Sequence, residues 1–180
     1  MPIYLKQLGV VDPLEIVGHR ILWSVPFGAL ILSLRTQWGE TWKAISSPRM
    51  LLMLGFSAAI IAGNWLLYVW AVANDRVLQA SLGYYINPLI FVAAGVIVLN
   101  EKLNRLQIAA VALASAGVAV LTLGAGVFPW VSIVLALSFT VYGYLRKTLD
   151  VGAMPGLFIE TLVLSPFALI FLMWFGAAHG

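Results

Sequence analysis

The stretch GLFIETLVLSPFALIFLMWF, from Gly156 to Phe175, contains twenty residues, of which a single one carries a charge. About 20 mostly apolar residues in a helix cross a hydrocarbon core of about 30 Å. The exception is Glu160. A carboxylate is costly inside a bilayer, so it is either shielded by partners or used in the protein's function. The stretch therefore predicts a membrane helix with one acid whose role must be explained.

The composition of the whole chain supports this prediction. The chain is 62% hydrophobic and 9% charged, whereas a soluble domain carries roughly 25% charged residues. Its ten basic residues are scattered among hydrophobic runs and form no basic face for nucleic acid. With no cysteine and with His19 and His179 far apart in the sequence, we expect no metal site and no cofactor. The sequence predicts an integral membrane protein.

Nearly charge-free runs predict an all-α protein with about six transmembrane helices. The break GAGVFP at 124–129 divides the longest run into two spans, because Gly and Pro interrupt helices. Ser47-Pro48 is typical of a helix start, and Asn104 with Gln107 resembles a capping box. The predicted spans are 14–34, 50–74, 77–100, 155–176 and two within 106–145.

Basic residues predict the orientation of these spans. With the 35–49 loop in the cytoplasm, seven of the ten basic residues lie inside and three outside, which is a clear positive-inside bias. The inside set is Arg35, Lys43, Arg49, Lys102, Arg105, Arg146 and Lys147, and the outside set is Lys6, Arg20 and Arg76.

An internal repeat indicates a larger architecture. At an offset of 140 residues, YLK at 4–6 aligns with YLR at 144–146, and Pro26-Phe27 aligns with Pro166-Phe167. The repeat unit would hold five helices, an odd number, so successive units enter the membrane in opposite orientations, as in many secondary transporters. We therefore expect a ten-helix (5+5) inverted repeat of which this chain carries about the middle six helices. Residues 1–8 are predicted to be the tail of a helix.

Four stretches resemble the RarD branch of the EamA-type drug/metabolite transporters. They are PLEIVGHRILWS (13–24), GNWLLYVWAV (63–72), SLGYYINPLIFVAAGVIVLNEKLNRLQIAAVALASAGV (81–118) and YGYLRKTL (142–149). The resemblance implies a ten-helix permease of the bacterial inner (plasma) membrane, built from two five-helix EamA repeats. On this pattern, residues 1–124 are the first repeat without most of its first helix. Residues 125–180 are then the first two helices of the second repeat.

Polar residues in the second and third predicted spans suggest a substrate pocket. Asn64 and Tyr68 lie four residues apart on one helical face, with Trp65 beside them. They either line a pocket or hold helices together. Tyr84, Tyr85, Asn87 and Pro88 form the densest polar set. Because Pro88 frees backbone carbonyls near Tyr84, this set either lines a cavity or marks a simple kink.

Glu160 and Arg20 are the candidates for coupling, and Glu160 and Tyr142 are also candidates for the substrate pocket. Glu160 either accepts a proton or a cationic substrate, or it fixes helix packing, with Tyr142 and Ser138 as possible hydrogen-bond donors. Arg20 either takes part in transport or extends to the lipid headgroups. The inverted repeat places Arg20 and Glu160 at opposite depths, so we expect no salt bridge between them.

These features favour a secondary transporter that moves a small metabolite or drug by alternating access. Its partners would be the lipid bilayer and a small-molecule substrate, with a homo-oligomer as an option. The alternative is a membrane structural or interaction protein, or a remnant without transport activity. An enzyme is not expected, because the sequence has no HExxH, GxSxG or paired-Asp motif.

Overall fold

The structure, a computed structural model, describes residues 12–126 and 128–179, which fold into helices joined by short loops. The predicted all-α fold is confirmed. The predicted helix tail at 1–8 lies outside the described residues. The helices are α1 (Pro13–Leu34), α2 (Trp38–Ile45), α3 (Pro48–Ala73), α4 (Val77–Leu99), α5 (Arg105–Ala125), α6 (Trp130–Thr148) and α7 (Ala153–His179).

The helix starts follow from local sequence. The Ser47 side chain accepts a hydrogen bond from the backbone of Met50, and Pro48 is the first residue of α3. Asn104 and Gln107 form the predicted capping box at the start of α5, with both hydrogen bonds at 2.8 Å. Gly126 ends α5 in the left-handed region at φ 64°, a conformation that glycine adopts without steric cost. Both predicted caps are confirmed.

Five helices, α1, α3, α4, α5 and α7, are long and apolar enough to cross a membrane. The sixth predicted span, α6, is not among these five described helices, and two of its serines bond to other helices. The Ser132 hydroxyl donates to the carbonyl of Gln79 on α4, and the Asn64 amide on α3 donates to Ser138. Helix α6 packs against both α3 and α4. Internal hydrogen bonds thus offset the cost of its polar groups.

The short helix α2 lies in the predicted loop 35–49 and was not expected, because eight residues are too few for a span. Its Trp38 ring packs edge-on against Phe158 of α7, with centroids 5.6 Å apart. Its Glu40 carboxylate accepts a hydrogen bond from the backbone of Gly152. Helix α2 therefore lies at the same end of the bundle as the loop between α6 and α7.

Helices α1 and α7 pack against each other along their lengths and run antiparallel. A side-chain carbon at Gly18 would meet Leu172, and one at Gly28 would approach Phe158 to 2.9 Å. Glycine at these two positions lets the helix backbones come close. Each helix contains an internal proline, Pro26 in α1 and Pro166 in α7.

Two apolar clusters form the core of the bundle. One contains Val69, Val72 and Leu135, and the other contains Leu54 and Ile159. Each cluster lies beside one of the two polar sites described next, so the apolar packing positions both sites.

Candidate functional site

Helices α1, α3, α4 and α6 surround a cavity of about 270 Å³. Its size is just below the range of about 300–1,000 Å³ for small-molecule sites. Six of the residues predicted as site candidates line it, together with small and apolar side chains of α4 and α6. The described lining residues are Arg20, Asn64, Trp65, Tyr68, Ala80, Gly83, Tyr84, Asn87, Leu135, Ala136 and Phe139.

Aromatic rings and one cation define the chemistry of the cavity. The guanidinium carbon of Arg20 lies 4.9 Å from the ring centroid of Trp65, within the range of a cation–π interaction. The rings of Tyr68 and Tyr84 pack edge to face, with centroids 5.9 Å apart. Arg20, near the start of α1, is therefore itself part of the cavity wall and packs on Trp65.

Asn64 combines the two roles that its sequence position suggested. It lines the cavity, and its amide nitrogen donates to the Leu135 carbonyl and to the Ser138 hydroxyl, both at 2.8 Å. These bonds hold α3 to α6. Ser138, which was a possible donor to Glu160, is the partner of Asn64 instead.

The cluster around Pro88 is divided between two faces of α4. Asn87 lines the cavity with Tyr84, and its side-chain oxygen is buried without a hydrogen-bond partner among the described residues. Tyr85 is not among the described lining residues, and neither is Pro88. Tyr84 and Tyr85 are similarly exposed, at 65% and 64%, but they point about 100° apart on the helix, and of the two only Tyr84 lines the cavity. Helix α4 continues through Pro88.

Glu160 lies in a second polar site, separate from the cavity lining, and is 1% exposed. The Ser57 hydroxyl donates to its Oε1 at 2.6 Å, and the Tyr142 hydroxyl donates to its Oε2 at 3.1 Å. The Nε of Arg146 lies 3.6 Å from Oε1. These four residues, which we call the Glu160 cluster, join α3, α6 and α7.

Arg146 was predicted only as a cytoplasmic positive charge, and its position in the Glu160 cluster was missed. Its Nη2 donates to the carbonyls of Gly152 and Ala153, at 3.1 and 3.3 Å. Its guanidinium passes directly over Gly156, where a side-chain carbon would collide with it. The sequence signal was a glycine one helical turn before the buried acid.

Ser57 was also missed, because a single serine in an apolar helix has no distinctive pattern. Its hydroxyl lies 3.0 Å from the Leu54 carbonyl as well as 2.6 Å from Glu160. Ser57 can therefore donate to a charged Glu160, or accept from a neutral one while donating to Leu54. The cluster satisfies Glu160 in either protonation state.

Arg20 and Glu160 have different partners, Trp65 and Arg146 respectively, in line with the expectation that they form no salt bridge. The two sites are adjacent along α6. Phe139 lines the cavity, and its ring centroid lies 6.0 Å from that of Tyr142. Within 12–126 and 128–179, no group of three or more His, Asp or Glu side chains could hold a metal ion.

A bundle of apolar spanning helices around a polar and aromatic cavity is the architecture of a multi-pass membrane protein. Comparison with known proteins gives the family. The sequence profile of the EamA-like transporter family matches residues 1–123. The chain belongs to this family, whose members are transporters and not enzymes.

Curated relatives align with nearly the whole chain. It is 47% identical over 174 residues to an uncharacterized transporter of Pseudomonas aeruginosa, with 97% of this chain and 58% of the relative covered. It is 44% identical over 173 residues to an uncharacterized transporter of Vibrio cholerae, with 96% and 57% covered. It is 43% identical over 171 residues to the protein RarD of Escherichia coli, with 95% and 58% covered.

The chain thus spans less than two thirds of the length of these relatives. No solved structure shows a significant match to it.

Proposed function

We propose that the chain forms part of a secondary transporter that moves a small metabolite or drug across a bacterial inner membrane by alternating access. The observation that carries this proposal is the cavity between α1, α3, α4 and α6, with Arg20, Asn64 and Asn87 in its wall. In a membrane bundle, polar groups around a cavity mark a substrate or ion pathway by default.

We further propose an inverted repeat, with residues 1–124 in the first unit and 125–180 in the second. Under the offset of 140 residues, α1 corresponds to α7. The observed contact between Gly28 and Phe158 predicts, by this offset, an equivalent contact between Gly18 and Ala168. Gly18 instead approaches Leu172, which lies one helical turn beyond Ala168. The antiparallel packing of α1 and α7 is what a two-fold axis in the membrane plane would produce.

In this proposal Glu160 couples transport to proton movement. Because Ser57 can donate to or accept from Glu160, the carboxyl group keeps a hydrogen bond when it gains or loses a proton. Neutralising Glu160 removes its charge attraction to Arg146, which also binds the loop at Gly152. The protonation state of Glu160 would then control how firmly the α6–α7 loop is held at this end of the bundle.

The test is uptake of labelled solutes into proteoliposomes by this chain and by a ten-span version completed with the missing helices of a relative. We expect saturable uptake by the ten-span protein and none by the 180-residue chain, since the proposed inverted repeat needs further helices to close the pathway. Saturable uptake by the chain alone would favour a self-sufficient homo-oligomer. Uptake by neither protein would favour the structural or interaction role.

A further inference from the structure

Resting on the proposed transporter function, we propose that the cavity binds an organic anion: a carboxylate on a flat, apolar ring system, with Arg20 as its counter-ion. The alternative for the same site is a neutral or cationic solute, with Arg20 serving only to hold α1 against α3 through Trp65.

The charge of the cavity wall favours an anion. Among the described residues that line the cavity, Arg20 is the one charged side chain and none is acidic. Arg20 is half-buried, and a nearby opposite charge stabilises a cation that is partly withdrawn from water. The aromatic face of Trp65 stabilises the guanidinium, but it supplies no negative charge. A carboxylate would complete the pairing, and its planar shape matches the fork of N–H donors on arginine.

Three acids that precede or lie on α1 or α7 have other partners. Asp12 caps α1 by accepting a hydrogen bond from the Leu14 backbone. The Glu15 carboxylate lies 3.9 Å from His19, and Glu160 is held in its own cluster. Arg20 is therefore the cation in the cavity wall that we expect to bind an incoming carboxylate.

The remaining wall fits a flat apolar body. Trp65, Tyr68, Tyr84 and Phe139 present ring surfaces, while Ala80, Gly83 and Ala136 provide short walls between them. Aromatic rings pack favourably against one another in offset or edge-to-face arrangements. A volume of about 270 Å³ suits one or two fused rings that carry a short carboxylate arm.

The chain contains a matched control for Arg20. The Arg76 guanidinium carbon lies 5.4 Å from the Trp70 ring and 5.7 Å from the Trp130 ring, so it also packs on tryptophan. Arg76 is not among the described residues that line the cavity. Replacing either arginine removes one positive charge together with its packing on tryptophan, one ring for Arg20 and two for Arg76. Of the two arginines, only Arg20 is among the described residues that line the cavity.

The experiment is equilibrium dialysis of the chain in lipid nanodiscs with phenylacetate, phenylacetamide and phenethylammonium. These probes share a ring and differ in charge. We expect phenylacetate to bind about tenfold more tightly than phenylacetamide, and Arg20→Gln to abolish that preference while phenylacetamide binding persists. Arg76→Gln should leave the preference intact, and Arg20→Lys should keep part of it.

Equal binding of the acid and the amide, tighter binding of the amine, or no binding of any probe would overturn the inference. The same holds if Arg76→Gln and Arg20→Gln reduce phenylacetate binding equally, since this would be a general effect of positive charge. If the Arg20→Gln variant fails to fold, the order of probe affinities on the unmodified chain still tests whether the cavity prefers an anion. A different result would contradict the proposed transport function alone. In that case the probes would bind in the expected order, but the ten-span protein would transport no solute.

Discussion

The Ser57 hydroxyl donates a 2.6 Å hydrogen bond to Oε1 of Glu160, which joins the middle of α3 to the first third of α7. The two residues are 103 positions apart in the sequence. This bond, the hydroxyl of Tyr142 and the guanidinium of Arg146 together answer why an acid is present in an otherwise apolar helix. Glu160 holds three helices together and remains satisfied whether it is charged or neutral.

Removing the Ser57 hydroxyl should destabilise the bundle. Ser57→Ala takes a hydrogen-bond donor from a buried carboxyl group, which typically costs about 1–3 kcal/mol. The measurement is the free energy of unfolding in mixed micelles as the denaturing detergent is increased. Ser165→Ala on α7 is the control, because that exposed hydroxyl bonds only to the Leu162 carbonyl of its own helix among the described residues. Equal stability of the two variants would contradict the role of Ser57.

A methyl group at Gly156 should displace Arg146 from Glu160. Gly156→Ala places a carbon where the guanidinium lies, so we expect a loss of stability of about 1–3 kcal/mol, as for other overpacked sites. Gly176→Ala, on the same helix, meets no atom within 4 Å and should be neutral or stabilising by about 0.5–1 kcal/mol. If Gly156→Ala proves as stable as Gly176→Ala, Arg146 does not occupy the position described.

Glu160→Gln in the ten-span protein separates coupling from packing. The amide keeps the shape and much of the hydrogen bonding of the carboxyl group, but it cannot take up or release a proton. We expect normal folding and uptake that no longer changes with pH. Glu101→Gln, in the exposed loop before α5, should keep the pH dependence of the unmodified protein. A Glu160→Gln protein with an unchanged pH profile would reduce Glu160 to a packing residue.

The orientation of the helices can be tested with topology reporters. Because seven of the ten basic residues lie on one predicted side, a reporter fused after Lys147 should be active in the cytoplasm. One fused at Gly126 should be active in the periplasm. The opposite pattern would reverse the orientation and place the Glu160 cluster at the outer end of the bundle.

Sequence reasoning succeeded where the signal was local. The caps at Ser47 and Asn104 and the break before Trp130 depend on residues a few positions apart, and all three occur in the structure. The serines and tyrosines of α6 likewise indicate, from its own sequence, that this helix is less apolar than the other predicted spans. These features are set by backbone hydrogen bonding and helix periodicity within one element.

The partners of Glu160 required information that one helix does not contain. Tyr142 could be anticipated from the preceding span, but Ser57 depends on how α3 packs against α7. Arg146 looks like a loop charge until the chain turns at Gly152 and brings the guanidinium back over Gly156. In the same way, the division between Tyr84 and Tyr85 depends on which face of α4 meets α3 and α6.

Blocking the cavity between α1, α3, α4 and α6 shows whether this cavity is the transport pathway. The chain contains no cysteine, so a cysteine introduced at Tyr84, in the cavity wall, is a unique target in an otherwise cysteine-free ten-span protein. The control is Tyr85→Cys, one residue away and about as exposed as Tyr84 (64% against 65%), but not among the described residues that line the cavity.

The measurement is solute uptake by both variants before and after reaction with a bulky maleimide. We predict that modification abolishes uptake by the Tyr84→Cys protein, that the transported solute slows this modification, and that the modified Tyr85→Cys protein remains active. Complete modification of Tyr84→Cys with undiminished uptake would contradict the account.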